Sequence, residues 1–269
     1  MSSPDLVDPT HVDGYLDGTE SDEGKYSPIP VIPDTKVMKI GGQSVIDRGG
    51  AALFPIVDEI VKLRDEKNYK MLLGCGGGTR ARSVYAMGSA LELPTGIMAT
   101  LGAFVPVQNT WMLQVLLAKH GGIHMEQTDL MKLPLFFRLG CIPIINGMPP
   151  FRYWEKPAKR SNIPSHRTDA GVYLAAEYLG CKRCYFVKDE DGLFEDDPKK
   201  NPDAKQIPRI SASELLKTDL PDMVIEEVVV EYLLRAKHCK EIQILNGLKP
   251  GMITRALGGE DVGTVIYHG

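Results

Sequence analysis

No stretch of this 269-residue sequence stays apolar over the about 18 residues that a membrane-spanning helix needs. Neither sign of charge dominates. Against 31 Lys and Arg stand 35 Asp and Glu, a net charge of -4, which gives no footing for a nucleic-acid partner. Cysteine is scarce: Cys75, Cys141, Cys181, Cys184 and Cys239 are odd in number and scattered, against a disulfide framework and for a reducing cytoplasm. Cys181-Lys-Arg-Cys184 has metal-ligand spacing but no second Cys pair. His120-Gly-Gly-Ile-His124 precedes it, the wrong order for a zinc finger, and nothing brings the four ligands of a structural zinc site together. The N-terminus lacks the apolar core of a secretory signal. Walker and dinucleotide-binding loops are missing too. These absences lead us to expect a cytoplasmic protein with neither membrane nor nucleic acid as partner.

What is present is a globular composition, 43% hydrophobic and 25% charged, with length for one large α/β domain or two small ones. Residues 1–30 are rich in Asp, Glu, Ser, Gly and Pro and read as a flexible arm, or one ordered against a neighbouring subunit; residues 31–269 read as one domain. Short apolar runs at Val37–Ile40, Lys70–Leu73, Gly96–Ala99, Ile142–Ile145, Cys184–Val187 and Ile242–Leu245 predict strands. Amphipathic stretches predict helices at 51–67, 79–91, 107–120, 168–179, 212–217 and 226–238. That alternation implies an α/β fold with a mainly parallel sheet covered on both faces, and a binding site at the C-terminal ends of its strands.

Four clusters fall at those ends. Lys39-Ile-Gly-Gly-Gln-Ser44 follows the first run. A glycine pair there admits close backbone approach by a polyphosphate, a lysine adds its ammonium, and a helix beginning near Ser44 would add its dipole. Gly74-Cys-Gly-Gly-Gly-Thr-Arg-Ala-Arg82 is a second glycine loop, whose glycines we read as serving a ligand rather than packing, with Arg80 and Arg82 for phosphate oxygens. Arg167-Thr-Asp-Ala-Gly171 opens an apolar helix, where Thr168 or Asp169 also suits a helix cap. Lys188-Asp-Glu-Asp-Gly-Leu-Phe194 and Asp197-Pro198 form an acidic loop of the kind that holds Mg²⁺ or orients cations. Residues 146–168 hold four prolines and a basic, aromatic patch: Arg152, Lys156, Lys159, Arg160, His166 and Arg167 with Phe151, Tyr153 and Trp154. The patch suits a bound polyanion or a solvated charged loop equally.

In order, these clusters resemble the amino-acid kinase superfamily, its UMP kinase branch above all, from about residue 36 to 267; Asn246-Gly-Leu-Lys-Pro-Gly251 and the closing Gly263-Thr-Val-Ile266 belong to the likeness. The resemblance implies a three-layer α/β/α sandwich with ATP over the C-terminal edge of the sheet. Lys39-Ile-Gly-Gly-Gln-Ser-Val-Ile-Asp-Arg-Gly49, Thr79-Arg-Ala-Arg82, Gly147-Met-Pro-Pro150 and Lys188-Asp-Glu-Asp-Gly-Leu193 are similar, more narrowly, to the molybdenum storage family and its β-type subunits. That family assembles hexameric shells and hydrolyses ATP to load molybdate or tungstate as polyoxometalate clusters.

Carried over, the likeness implies Lys39, Gly41 and Gly42 as the ATP phosphate loop, and Gly77, Gly78 and Arg82 as the second loop. Asp169 would orient the lysine, with Lys39 and Asp169 the catalytic pair. Lys188, Asp191, Phe194, Asp197 and Pro198 would flank the nucleotide. His124, Glu126, Gln127 and Arg152 would contact the oxyanion cluster. Gln108 stands where UMP kinases carry an acid for the UMP ribose, and the 148–166 loop is an insertion relative to them. Family cluster histidines fall on Phe137 and Arg152, so a homologous sister subunit, or a second copy in a homo-hexamer, would complete the metal site. The alternatives are a kinase acting on UMP or an acyl acid, and a nucleotide sensor without catalysis. Helix 107–120, with Trp111 among its apolar residues, reads as buried against a second subunit or as core.

Overall fold

The structure is a computed structural model that describes residues 28–158, 161–198, 200–218, 220 and 222–269. All but the last three residues of the expected N-terminal arm lie outside the described residues, as do Lys159 and Arg160 of the basic patch. In chain order the elements are β1 (Lys36–Ile40), α1 (Gly50–Lys67), β2 (Met71–Cys75), α2 (Gly78–Ala90), α3 (Thr95–Leu117), β3 (Gly122–His124), α4 (Leu133–Arg138), β4 (Ile142–Asn146), α5 (Thr168–Leu179) and β5 (Arg183–Lys188). A hairpin, β6 (Leu193–Phe194) with β7 (Gln206–Ile207), precedes β8 (Arg209–Ser211), α6 (Ala212–Leu215), α7 (Glu227–Leu233), β9 (Glu241–Asn246), α8 (Met252–Leu257) and β10 (Thr264–Tyr267).

Eight strands form one sheet in the order β3-β4-β2-β1-β5-β9-β10-β8. Pairing is parallel from β3 through β9; β10 runs antiparallel to β9, and β8 pairs parallel with β10. Strand periodicity explains two cores. Val37, Leu72 and Phe186 face α5 and α7, where Tyr173, Leu179, Val229 and Leu233 pack. Met38, Leu73 and Val187 face α1, α3 and α8, where Ile56, Ile60, Leu113 and Ile253 pack. This is the three-layer α/β sandwich expected. The register pairs Ile40 with Cys75 and Val187, Cys75 with Asn146, and Lys188 with Asn246, which brings five strand ends to one edge.

Several expectations need correction. Gly96–Ala99 is the first turn of α3, not a strand. Short apolar runs do not separate strand from buried helix, and small Ala99, Gly102 and Ala103 let this helix lie close to its neighbours. The helix expected from residue 107 therefore begins at Thr95 and passes through Pro106. With its short extension to His120 it is long and apolar enough by composition to cross a membrane; here it lies against β2, β3 and β4. No helix starts near Ser44: a 3₁₀ turn, Ile46–Arg48, intervenes before α1 at Gly50. Strand β3, the β6–β7 hairpin and β8, each two or three residues long, were not expected, and α7 ends at Leu233 rather than 238.

Candidate functional site

The strand ends and both glycine loops enclose a cleft of about 470 Å³, lined by Lys39, Gly42, Gly77, Gly78, Arg82, Asp169 and Lys188 among others. At its floor is a buried charge triad. Lys39 Nζ lies 2.6 Å from Asp169 Oδ1, and Lys188 Nζ lies 3.0 Å from Asp169 Oδ2. Register delivers the lysines, Lys39 near the end of β1 and Lys188 at the end of β5; Asp169 comes from the first turn of α5. Burial by itself would push the Asp169 carboxyl up, but the two ammonium groups override it and hold the group well below the usual carboxylate range. Burial, aided by repulsion from Lys39 and opposed by Asp169, brings Lys188 down to about 8.

Glu226, absent from the sequence reading as a site residue, anchors the triad. Its carboxylate accepts from the backbone N–H groups of Arg167, Asp169 and Ala170 at 2.9, 3.0 and 3.1 Å, capping α5 from a distant segment. Burial, then the neighbouring Asp169 charge, raises its pKa against Arg167 and the amide donors. The only local signal was an acid just before an apolar helix, which ordinarily caps its own helix.

The glycine loops turn out to pack on each other, against the expectation that their glycines serve only a ligand. A Cβ on Gly42 would sit 2.2 Å from the Gly78 nitrogen, and one on Gly76 would sit 2.6 Å from the Gly42 nitrogen. Asp47 caps α2 by accepting from Thr79 N–H at 2.6 Å. Arg80 does not line the cleft: it bonds Gln108 at 2.6 Å and also Asn109, both on α3. Gly41 lies behind the wall, its N–H bonded to the Val187 carbonyl.

A second cavity of about 250 Å³, lined by Phe194, Asp197 and Pro198, adjoins the first and shares Glu190, Asp222 and Val224 with it. Asp191 lines neither; it accepts from Lys249 at 2.7 Å and Asn246 at 3.1 Å and braces the turn after β9. Thus Lys39, Asp169, Gly42, Gly77, Gly78, Arg82, Lys188, Phe194, Asp197 and Pro198 are brought to one continuous depression.

The expected cluster contacts are not gathered in the same way. His124, at the end of β3, lies against Trp111 with ring centroids 5.5 Å apart, and its Nε2 is 3.9 Å from Glu126. Gln127 donates to the Asn146 carbonyl at 2.9 Å. Arg152 sits in a separate 3₁₀ turn, Arg152–Trp154, packed on α3. Among the described residues no three His, Cys, Asp or Glu side chains converge as metal ligands. His166, counted in the basic patch, is interior and paired with Glu155.

The sequence profile of the amino acid kinase family matches residues 34–254. The chain is 50% identical over 236 residues to molybdenum storage protein subunit beta of Azotobacter vinelandii, covering 88% of this chain and 87% of that one. It is 28% identical over 238 residues to uridylate kinase of Thermotoga petrophila, covering 86% and 97% respectively. Among solved structures, UMP kinase from Bacillus anthracis superposes with a TM-score of 0.68 at 19% identity over 88% of this chain and 96% of that one, a likeness of fold.

Proposed function

Because this chain belongs to the amino acid kinase family, we propose that its cleft binds MgATP and hydrolyses it to drive molybdate or tungstate into an oligomeric store. The observation that carries this reading is the Lys39–Asp169–Lys188 triad at the meeting point of two glycine loops. Half-identity to a molybdenum storage protein subunit beta over most of the chain supports the cargo.

Phosphoryl transfer asks the protein mainly for positioning and charge neutralisation. Lys39 and Lys188 supply two cations at the cleft floor. Asp169, fixed between them and held ionised, orients the ammonium groups and is not placed to act as a base. Phe194 and Pro198 offer the nucleoside an apolar wall in the adjoining cavity. Glu190 and Asp222 line both cavities, and as hard oxygen donors they would hold Mg²⁺ there. When bound, that ion offsets phosphate charge.

The oxyanion is cargo. His124, Glu126, Gln127 and Arg152 would contact it, and because Arg152 stands on a different turn from the other three, the reading places the cluster site between this chain and a homologous sister subunit or a second copy in a cytoplasmic hexamer. Elemental analysis of the protein after incubation with molybdate, tungstate and MgATP, alone and with a sister chain, tests the reading. Metal retained only with MgATP is expected; no uptake in any combination rejects it.

One observation favours a second reading. The cleft continues past Asp169 to Tyr85, Gly102, Met148 and Arg167, room for a phosphoryl acceptor. A coupled assay with UMP and acidic amino acids discriminates, and robust turnover would make the chain a phosphotransferase. ATP binding without any phosphate release would instead make it a sensor.

A further inference from the structure

The Pro-rich insertion begins at Met148 and returns at Arg167, and both ends line the cleft. Inside it is an ionisable pair that the proposed chemistry does not use. His166 Nδ1 lies 2.7 Å from Glu155 Oε1, with side chains 6% and 1% exposed. The other ring nitrogen, Nε2, shares a short hydrogen bond with the hydroxyl of Tyr232 on α7, whose ring stacks on the imidazole at 5.6 Å. Phe151 meets the same imidazole edge-on at 5.4 Å. Neither Glu155, His166 nor Tyr232 lines the cleft.

A buried imidazole and carboxylate are tolerated only when each is paired and hydrogen-bonded. Here the pairing joins three pieces of chain: the start of the insertion, its end, and α7. The residue before α7 is Glu226, whose carboxylate holds the N–H groups of Arg167, Asp169 and Ala170. The segment that presents Asp169 is therefore gripped twice by the α7 region, once through its backbone and once through His166.

We infer that His166 is a positioning residue: the Glu155–His166–Tyr232 chain clamps the insertion to α7 and thereby sets where Asp169 holds Lys39 and Lys188. The clamp also joins the outer face of the insertion, where Tyr153 and Trp154 are 65% and 87% exposed, to the cleft. Its catalytic consequence rests on the ATP reading above; the clamp itself does not.

The test replaces His166 by Phe, which keeps a ring and removes both hydrogen bonds. Amide exchange at Arg167, Asp169 and Ala170 in nucleotide-free protein should become about tenfold faster. Turnover of ATP should fall about tenfold with nucleotide Kd changed less than about twofold, since misplacement acts on the transition state. In an Asp169→Asn background the same replacement should alter kcat less than about twofold, because the two changes act through one group. Unchanged amide exchange, or an equal loss of kcat in both backgrounds, overturns the inference. Should His166→Phe not fold, Tyr232→Phe and Glu155→Leu each remove one bond and are read the same way. If the unaltered protein hydrolyses no ATP, the functional reading fails and amide exchange alone decides the clamp.

Discussion

Lys39 and Lys188 share the Asp169 carboxylate, and burial decides how Lys188 titrates. With its pKa brought down to about 8, Lys188 is a cation below that pH and neutral above it. Phosphate needs the cation. ATP affinity should therefore hold below pH 8 and weaken as the pH rises past it, and Lys188→Arg should remove that alkaline decline; calorimetric titrations from about pH 6.5 to 9.5 read both. Lys39→Ala should abolish hydrolysis, since one charge-assisted phosphate contact is worth about 1.5–3 kcal/mol before any transition-state role. Near-normal phosphate release would remove Lys39 from the mechanism. Asp169→Asn should keep the fold and most ATP affinity while slowing turnover; an unfolded variant would make the group structural. Lys39 and Asp169 were legible in the sequence because each sits in a short motif at a predicted strand end or helix start. Glu226 was not, because it acts on the backbone amide of Asp169 from 57 residues further along the chain, a pairing only the folded chain creates. Arg80 was assigned to phosphate by motif and Asp191 to the nucleotide by likeness; in the folded chain they bond neighbours on α3 and after β9, partners that no local pattern foretells.

The two glycine loops are one element made from two pieces of chain. Because the missing Cβ of Gly42 is occupied by the Gly78 backbone, Gly42→Ala must push the loops apart. A loss of about 1–3 kcal/mol is expected, as for other overpacked sites, together with loss of nucleotide binding. Denaturant titration and ATP calorimetry check it; a stable variant that binds ATP normally would show that the contact yields easily. At this scale the sequence was read well where strands are almost wholly buried and carry a mainly apolar run, as at β1, β2, β4, β5 and β9. It was read poorly where length fails as a guide. Two- and three-residue strands carry too little pattern, and Gly96–Ala99 looks like a strand because the buried half of a helix is equally apolar.

Across the molecule, α3 carries an apolar face that the described residues leave uncovered. Phe104, Trp111 and Val115 are 53%, 55% and 71% exposed, so Trp111 is not part of the core that the described residues form. Trp111→Asp should then split the proposed hexamer into soluble, folded smaller species by sedimentation, because an unpaired charge in an apolar contact is strongly disfavoured. An intact hexamer would place the interface elsewhere. Strand β10 raises a different matter. It is the last of the described strands but stands inside the sheet, between β9 and β8, and among the described residues β8 has no other strand beside it. The Thr264 hydroxyl also accepts from Leu193 N–H and donates to the Ile207 carbonyl, tying down the hairpin that walls the second cavity. A ribosome must therefore release the segment through Tyr267 before that wall has an anchor. A nascent chain stalled short of β10 lacks this tie, so nucleotide retention at the proposed site is expected only once β10 has been made.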